Sequence, residues 1–351
     1  MSSAFTTVRA WWRLRSVRTI VLLSVSVLIG WAVLRIIGRV NWGAVGDAVS
    51  QVSGGELAVL MAVLGLRLVF NAVSMARFVP GLGMWRAVRN DLSANLVATV
   101  APPPGDVVLR VAQFRSWGVD PVTGMGGVTL SMVVFYGARF IAPVLGLVLV
   151  TADQLGTRQW VWGALSLVIA GAIFTALIVT LRSGRWAASL GDAAARIVGR
   201  FTTTVDTSGW REAVVGFGAR MDATLRGNVV LVTISTLMAV ILDGVILALS
   251  LRFMGVDAAQ LPLNEILGAF LLVYPLTIMP LFGLGVLDAT LIASWSAIAG
   301  DVAEPAIIAA AVIWRTVTIG GTLLLGVAAV GSWRWTVRRA VRTSEEPPDH
   351  D

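Results

Sequence analysis

Residues 91–117, DLSANLVATVAPPPGDVVLRVAQFRSW, decide the architecture of this chain. The stretch is apolar from Leu92 to Val100 and again from Val107 to Phe114, and Ala101-Pro102-Pro103-Pro104-Gly105-Asp106 cuts it in two. Each proline lacks an amide donor and crowds the turn before it, so no continuous helix runs through them. Neither arm reaches the roughly 20 residues that cross a bilayer core. With Arg110 and Arg115 following the break, the segment reads as a re-entrant hairpin entering from the cytoplasmic side. Irregular backbone at that depth must be buried in protein or line a cavity.

Working outward, the solvent implied is lipid. Mean hydropathy is +0.83 and only 13% of residues are charged, against about a quarter in soluble domains. Apolar runs of spanning length occupy Thr19–Leu34, Glu56–Val79, Val122–Val150, Trp160–Leu181, Val229–Met254 and Ala306–Val330. A second interrupted segment, Asn264–Ala299, is broken at Tyr274-Pro275, Met279-Pro280 and Gly283-Leu284-Gly285. The expected fold is all-α: a polytopic membrane helix bundle of about six full spans plus two broken hairpins. Thr19–Leu34 has the basic start of a signal peptide but no small-residue cleavage site, and reads as a retained helix.

The cationic residues are all arginine. With no lysine there is no P-loop lysine and no Schiff base, and with no cysteine there is no thiolate nucleophile or disulfide. The single histidine, His350, lies in a polar tail beside Glu345, Glu346 and Asp349. These absences leave no expected metal site, cofactor or catalytic residue, and the protein is not expected to be an enzyme. Arg9, Arg13, Arg15 and Arg18 precede the first apolar run, and Arg334, Arg338, Arg339 and Arg342 follow the last. By the positive-inside rule both termini face the cytoplasm, which places a multi-pass chain in the cell membrane and requires an even number of crossings. The positive charge is read as orientation and attraction to anionic lipid surfaces, not as a nucleic-acid site.

The chain divides into a cytoplasmic segment, 1–18, a transmembrane domain, 19–332, and a cytoplasmic tail, 333–351. Asn41–Val52 reads as an amphipathic stretch on the outer surface. Residues 182–226 form an elbow with two amphipathic stretches at helical spacing, Trp186 to Phe201 and Trp210 to Leu225. Glycines at Gly81-Leu82-Gly83 and Gly124-Met125-Gly126-Gly127 complete no dinucleotide loop and are assigned to close helix packing. Trp31, Trp42, Trp160, Trp162, Trp333 and Trp335 fall near expected interfaces and read as aromatic belts.

Residues 56–150 and 229–330 share one plan: a span, a Pro/Gly-broken hairpin ending in an acid (Asp106 or Asp288), and a span with a mid-membrane arginine (Arg139 or Arg315). The hairpins enter from opposite sides, so the copies are inverted repeats, and paired broken segments in inverted halves point to a transporter site near the midplane. An unpaired arginine at a helix centre costs about 2.5–3.5 kcal/mol, so Arg67, Arg139 and Arg315 need partners or water. Asp106, Asp243 and Asp288 are the available counter-ions. Structural ion pairs that fix the bundle are the alternative to a transport role.

Pro104-Gly105-Asp106-Val107-Val108-Leu109-Arg110, followed by Gly118, resembles a signature of the lysylphosphatidylglycerol synthase-type transmembrane, or flippase-like, domain. Pro280-Leu281-Phe282-Gly283-Leu284-Gly285-Val286-Leu287-Asp288 resembles the second signature, and the similarity extends from about Val21 to Val330. Both acids are usually glutamate in that family, and Leu281 and Phe282 stand where glycines are usual. The resemblance implies a lipid-translocating membrane half without the aminoacyl-transferase half, since 182–226 is the longest polar stretch.

These readings converge on a flippase-like transporter that moves an anionic phospholipid or lipid-linked headgroup through a charged midplane cavity. In it Arg110, Arg139 and Arg315, together with Arg67, supply cations, and guanidinium binds phosphate bidentately. Asp106, Asp243 and Asp288 neutralise them when the site is empty, and the hairpin ends at Gly105 and Gly285 offer backbone amides. The alternatives are a membrane transferase acting on lipid-linked substrates, with Asp106 or Asp288 as base, and a non-transporting partner whose elbow recruits a cytoplasmic enzyme.

Overall fold

The computed structural model of the chain describes residues 50, 52–101, 104–150, 168, 171–172, 208–278 and 283–345. The expected spans Thr19–Leu34 and Trp160–Leu181, the surface stretch from Asn41 and the first part of the elbow lie wholly or almost wholly outside them. The described residues form helices and no strands. They are α1 (Gly54–Phe78), α2 (Met84–Val100), α3 (Gly105–Ser116), α4 (Pro121–Leu149), α5 (Ser208–Phe253), α6 (Leu263–Val273), α7 (Val286–Ala299), α8 (Glu304–Arg315) and α9 (Thr322–Glu345). A 3₁₀ turn, Tyr274–Ile278, extends α6, and a π-helical segment, Thr316–Gly321, joins α8 to α9 without interruption.

Local chemistry sets the helix ends. Ser53 and Glu56 form a reciprocal capping box at the start of α1, with Glu56 N donating to Ser53 Oγ at 3.2 Å and Ser53 N to Glu56 Oε2 at 2.7 Å. This satisfies two of the amides a helix start leaves open. Asp120 caps α4 by accepting from Thr123 N at 2.9 Å, with Pro121 in the first helical position where its missing amide costs nothing. α2 stops at Val100, ahead of the prolines, and α3 begins at Gly105. The expected hairpin is therefore present, although its first arm starts earlier than Leu92, at Met84, and brings Arg86 and Arg89 into helix.

Two expected boundaries are corrected. Trp210–Leu225 is the first part of α5, a single helix of 46 residues, and not a separate surface helix. Only Gly227 stands at the junction, and one glycine costs about 1 kcal/mol, too little to end a helix. The last span also continues past Val330 to Glu345, so the segment expected as a tail begins as helix.

Four helices, Gly54–Phe78, Pro121–Leu149, Gly227–Phe253 and Glu304–Arg339, are long and apolar enough to cross a membrane, and shorter apolar helices occupy Leu263–Ile278 and Val286–Ala299. The bundle is an all-α polytopic membrane fold.

Its packing is paired. α1 meets α5 along its length, and around this contact each interaction has a counterpart: α1 on α2 with α5 on α6, α2 on α3 with α6 on α7, α3 on α4 with α7 on α8, and α1 on α4 with α5 on α8. Each hairpin also crosses to the other half, α2 against α9 and α6 against α4. α1 and α5 are antiparallel, because Arg67 meets Asp243, Phe70 O accepts from Ser235 Oγ, and Phe78 packs with Val232. Equivalent helices running antiparallel make the halves inverted.

Two glycines mark the crossings. A Cβ on Gly146 of α4 would lie 2.8 Å from Gly268 O and 2.9 Å from Leu272 N, and a Cβ on Gly326 of α9 would lie 2.9 Å from both Leu92 O and Leu96 Cβ. Each final span thus presses on the backbone of the opposite hairpin, as small residues allow in membrane bundles. Arg67 and Asp243 are separated by 176 residues. The same separation relates Leu92 to Gly268 and Leu96 to Leu272, so the Arg67–Asp243 pair joins equivalent positions on the pseudo-two-fold axis.

Candidate functional site

A buried polar core runs from the first hairpin to the second through this axis. In the first half Arg110, 7% exposed, is held on several sides: Nη1 donates to Asn90 Oδ1 at 2.6 Å and Nη2 meets Asp91 Oδ1 at 3.3 Å. Asn71 Nδ2 donates to the other Asp91 oxygen at 2.8 Å. Asn90 Nδ2 donates to Gln113 Oε1 at 2.9 Å, and Gln113 Nε2 to Ser93 Oγ at 3.1 Å, so the two arms are stitched by fully buried polar groups. Leaving such groups unpaired in hydrocarbon costs several kcal/mol each, which is the physical reason for pairing Asn90, Gln113 and Ser93 with one another.

On the axis, Asp243 receives Arg67 Nη2 on Oδ2 at 3.4 Å and Trp314 Nε1 on Oδ1 at 3.2 Å. Arg67 also lies within electrostatic reach of Asp91, which connects the axis to the first hairpin. In the second half Arg315 Nε donates to Asp288 Oδ1 at 2.9 Å, and the guanidinium lies 4.2 Å from the Trp314 ring centre. The second Asp288 oxygen accepts from Gly285 N at 2.9 Å, closing the start of α7, where Gly285 sits at φ 88°. A left-handed backbone there favours glycine.

Arg139 differs from the other three. It is 6% exposed and stands over Phe135 at 4.2 Å, Tyr136 at 5.6 Å and Tyr274 at 6.0 Å. These last two are the chain's only tyrosines. Among the described residues it has no carboxylate partner; its polar contact is with the Tyr274 side chain, and its Nε, like that of Arg110, is buried without a hydrogen bond. Aromatic faces stabilise a desolvated guanidinium by about 2 kcal/mol but leave its charge in place. The backbone is irregular here too: Pro143 has no amide to offer the carbonyl of Arg139 one turn earlier. The π segment begins immediately after Arg315, and such segments recur at functional sites.

The structure pairs Arg67 with Asp243 and Arg315 with Asp288, and it gives Arg110 to Asp91, an acid outside the expected set. Asp106 is half-buried in the first turn of α3, where the helix dipole favours its charge, and it makes no ion pair among the described residues. Gly105 serves close approach of the arms, since its Cβ would lie 3.1 Å from Ala101 Cβ. The Gly285 amide is taken by Asp288.

Residue-by-residue reading missed Asn71, Asn90, Asp91, Ser93, Gln113, Tyr274 and Trp314. Asp91 and Asn90 carried a usable signal as polar residues inside an apolar arm. Nothing about Trp314 distinguished it from the belt tryptophans. Among the described residues no group of His, Asp and Glu side chains is arranged to hold a metal.

The charges also sort by end. Trp333 Nε1 donates to Ser116 Oγ, and Arg86 reaches the Trp117 carbonyl, so the start of α2, the end of α3 and the arginine-rich part of α9 share one end of the bundle. The second hairpin starts at the opposite end, where Asn264 Nδ2 reaches Leu149 O and Glu265 begins α6.

No curated protein and no solved structure matched the sequence. Residues 19–326 match the family described as the lysylphosphatidylglycerol synthase TM region, nearly the whole chain and both broken hairpins. An arginine-bearing, lipid-embedded core between two inverted halves is thus the core of a member of the lysylphosphatidylglycerol synthase transmembrane family, to which this chain belongs.

Proposed function

We propose that the protein moves an anionic phospholipid or lipid-linked headgroup across the cell membrane by rocking its two inverted halves about the Arg67–Asp243 axis. The observation that carries this reading is the buried charged core itself, which joins the two broken hairpins across the interface between the halves. Charges are expensive inside a bilayer and mark pathways far more often than they occur by chance. Paired broken segments in inverted halves are the arrangement expected of a site that opens alternately to either side. The end carrying Arg86, Arg115, Arg334 and Arg338 faces the cytoplasm under the positive-inside rule, with anionic lipid as its neighbour.

The test is reconstitution of the full chain in vesicles carrying a tail-labelled anionic phospholipid, with accessibility of the inner-leaflet label to a membrane-impermeant quencher as the readout. Accessibility rises with protein per vesicle, and Asp243→Asn slows it while insertion is unchanged. Quenching that stops at the outer-leaflet fraction at every protein content ends the reading.

A further inference from the structure

We infer that Arg139, in its slot of Phe135, Tyr136 and Tyr274, is the seat of a singly charged oxyanion of the phosphodiester class, while Arg67, Arg110 and Arg315 hold the bundle together. The inference deepens the translocation reading and rests on it for the source of that anion, a lipid headgroup.

The charge inventory of the core leads to this assignment. Asp243, Asp91 and Asp288 are each committed to one arginine, respectively Arg67, Arg110 and Arg315. Arg139 is as deeply buried as Arg110 and, among the described residues, has aromatic faces and the Tyr274 side chain where Arg110 has a carboxylate. Arg139 is thus a deeply buried arginine of the core with no carboxylate partner among the described residues, and a guanidinium is the side chain suited to hold a phosphodiester anion through two parallel hydrogen bonds.

The surroundings fit that ligand. Tyr136, 44% exposed, opens the slot toward the outside of the bundle, while Tyr274, 3% exposed, closes it from the second hairpin. Tyr274 begins the 3₁₀ turn that leads into the hairpin break, and that turn packs on α4. An anion that draws Arg139 away from Tyr274 loosens the hairpin from the opposite half, which connects occupancy to the movement of one half against the other. Phosphomonoesters and pyrophosphates, with two or more charges, exceed what one arginine neutralises.

The experiment uses the full chain in neutral detergent and follows its thermal unfolding midpoint with dihexanoyl phosphatidylglycerol, inorganic phosphate and uncharged dihexanoylglycerol. The wild-type midpoint rises and saturates with the phospholipid and not with dihexanoylglycerol. Arg139→Gln weakens the apparent affinity at least about tenfold, and Arg139→Lys loses less because it keeps the charge. Without ligand, Arg139→Gln unfolds at or above the wild-type midpoint, because a buried unpaired charge has been removed. Tyr274→Phe binds the phospholipid at least as tightly as wild type.

A saturating response to inorganic phosphate and not to the phospholipid overturns the phosphodiester assignment; a response to the phospholipid only supports the seat and assigns a headgroup. Unchanged affinity in Arg139→Gln overturns the inference, as does an Arg139→Gln that fails to fold while Arg139→Lys folds, since the charge is then structural. No response of wild type to either anion overturns it as well. Binding is read without translocation, so this outcome is separable from failure of the vesicle assay.

Discussion

The two hairpins solve one problem in different ways. In the first, Arg110 is fixed by Asn90 and Asp91, Asp91 by Asn71, and Gln113 bridges Asn90 to Ser93, so Arg110 and Asp91 each have more than one partner. In the second, Arg315 donates to Asp288 and so joins the hairpin to the last span, and the other Asp288 oxygen accepts from the Gly285 amide. The first hairpin is tied from arm to arm by a side-chain network, and the second is tied through Asp288 to Arg315 beside a π segment. The first network works from arm to arm within its hairpin, whereas the second pair links a hairpin to a neighbouring span, so loss of one carboxylate is felt differently in the two halves.

Replacing shared or single partners tests this contrast. The largest effect is expected at the axis, where Asp243→Ala leaves Arg67 and the Trp314 indole without partners. A loss of about 3–5 kcal/mol in unfolding free energy follows, as for other broken buried pairs. Arg67→Met combined with Asp243→Leu recovers most of it in a double-mutant cycle. Asp288→Asn comes next, with about 2–3 kcal/mol, because the remaining amide oxygen is a weak substitute for the carboxylate that holds Arg315. Faster hydrogen exchange confined to the second hairpin checks that the loss is local.

Gly146→Ala and Gly326→Ala are expected to cost about 1–3 kcal/mol each, since both force a methyl group against backbone at equivalent crossings. Unequal losses would show that the halves are not packed equivalently. The smallest effect belongs to Asp91→Asn, about 1 kcal/mol, because Arg110 retains Asn90 and Asn71 retains an acceptor. A loss as large as that of Asp288→Asn would remove the contrast between the hairpins.

Much of this organisation was legible before any coordinates. The triple proline at 102–104 dictated the break, hydropathy dictated the spans, and the recurrence of span, hairpin and arginine-bearing span indicated two halves. Pairing was less legible. Asp106, expected with Asp243 and Asp288 to neutralise the arginines, makes no ion pair among the described residues, and Asp91 from the facing arm meets Arg110. Sequence spacing describes neighbours along one helix, whereas a hairpin brings residues into contact across it.

By itself the sequence determined that lipid is the solvent, that two segments break within it, and that arginines lie where charge is expensive. Those outcomes follow from backbone hydrogen bonding and hydropathy, which are properties of local composition. Only the tertiary structure decided which arginines are neutralised. That Arg67 finds Asp243 on the axis, that Trp314 shares it, and that Arg139 meets aromatic rings instead of a carboxylate all depend on how antiparallel halves bring distant residues within a few ångströms. The Coulomb energy of a pair varies with that distance, and no linear spacing encodes it.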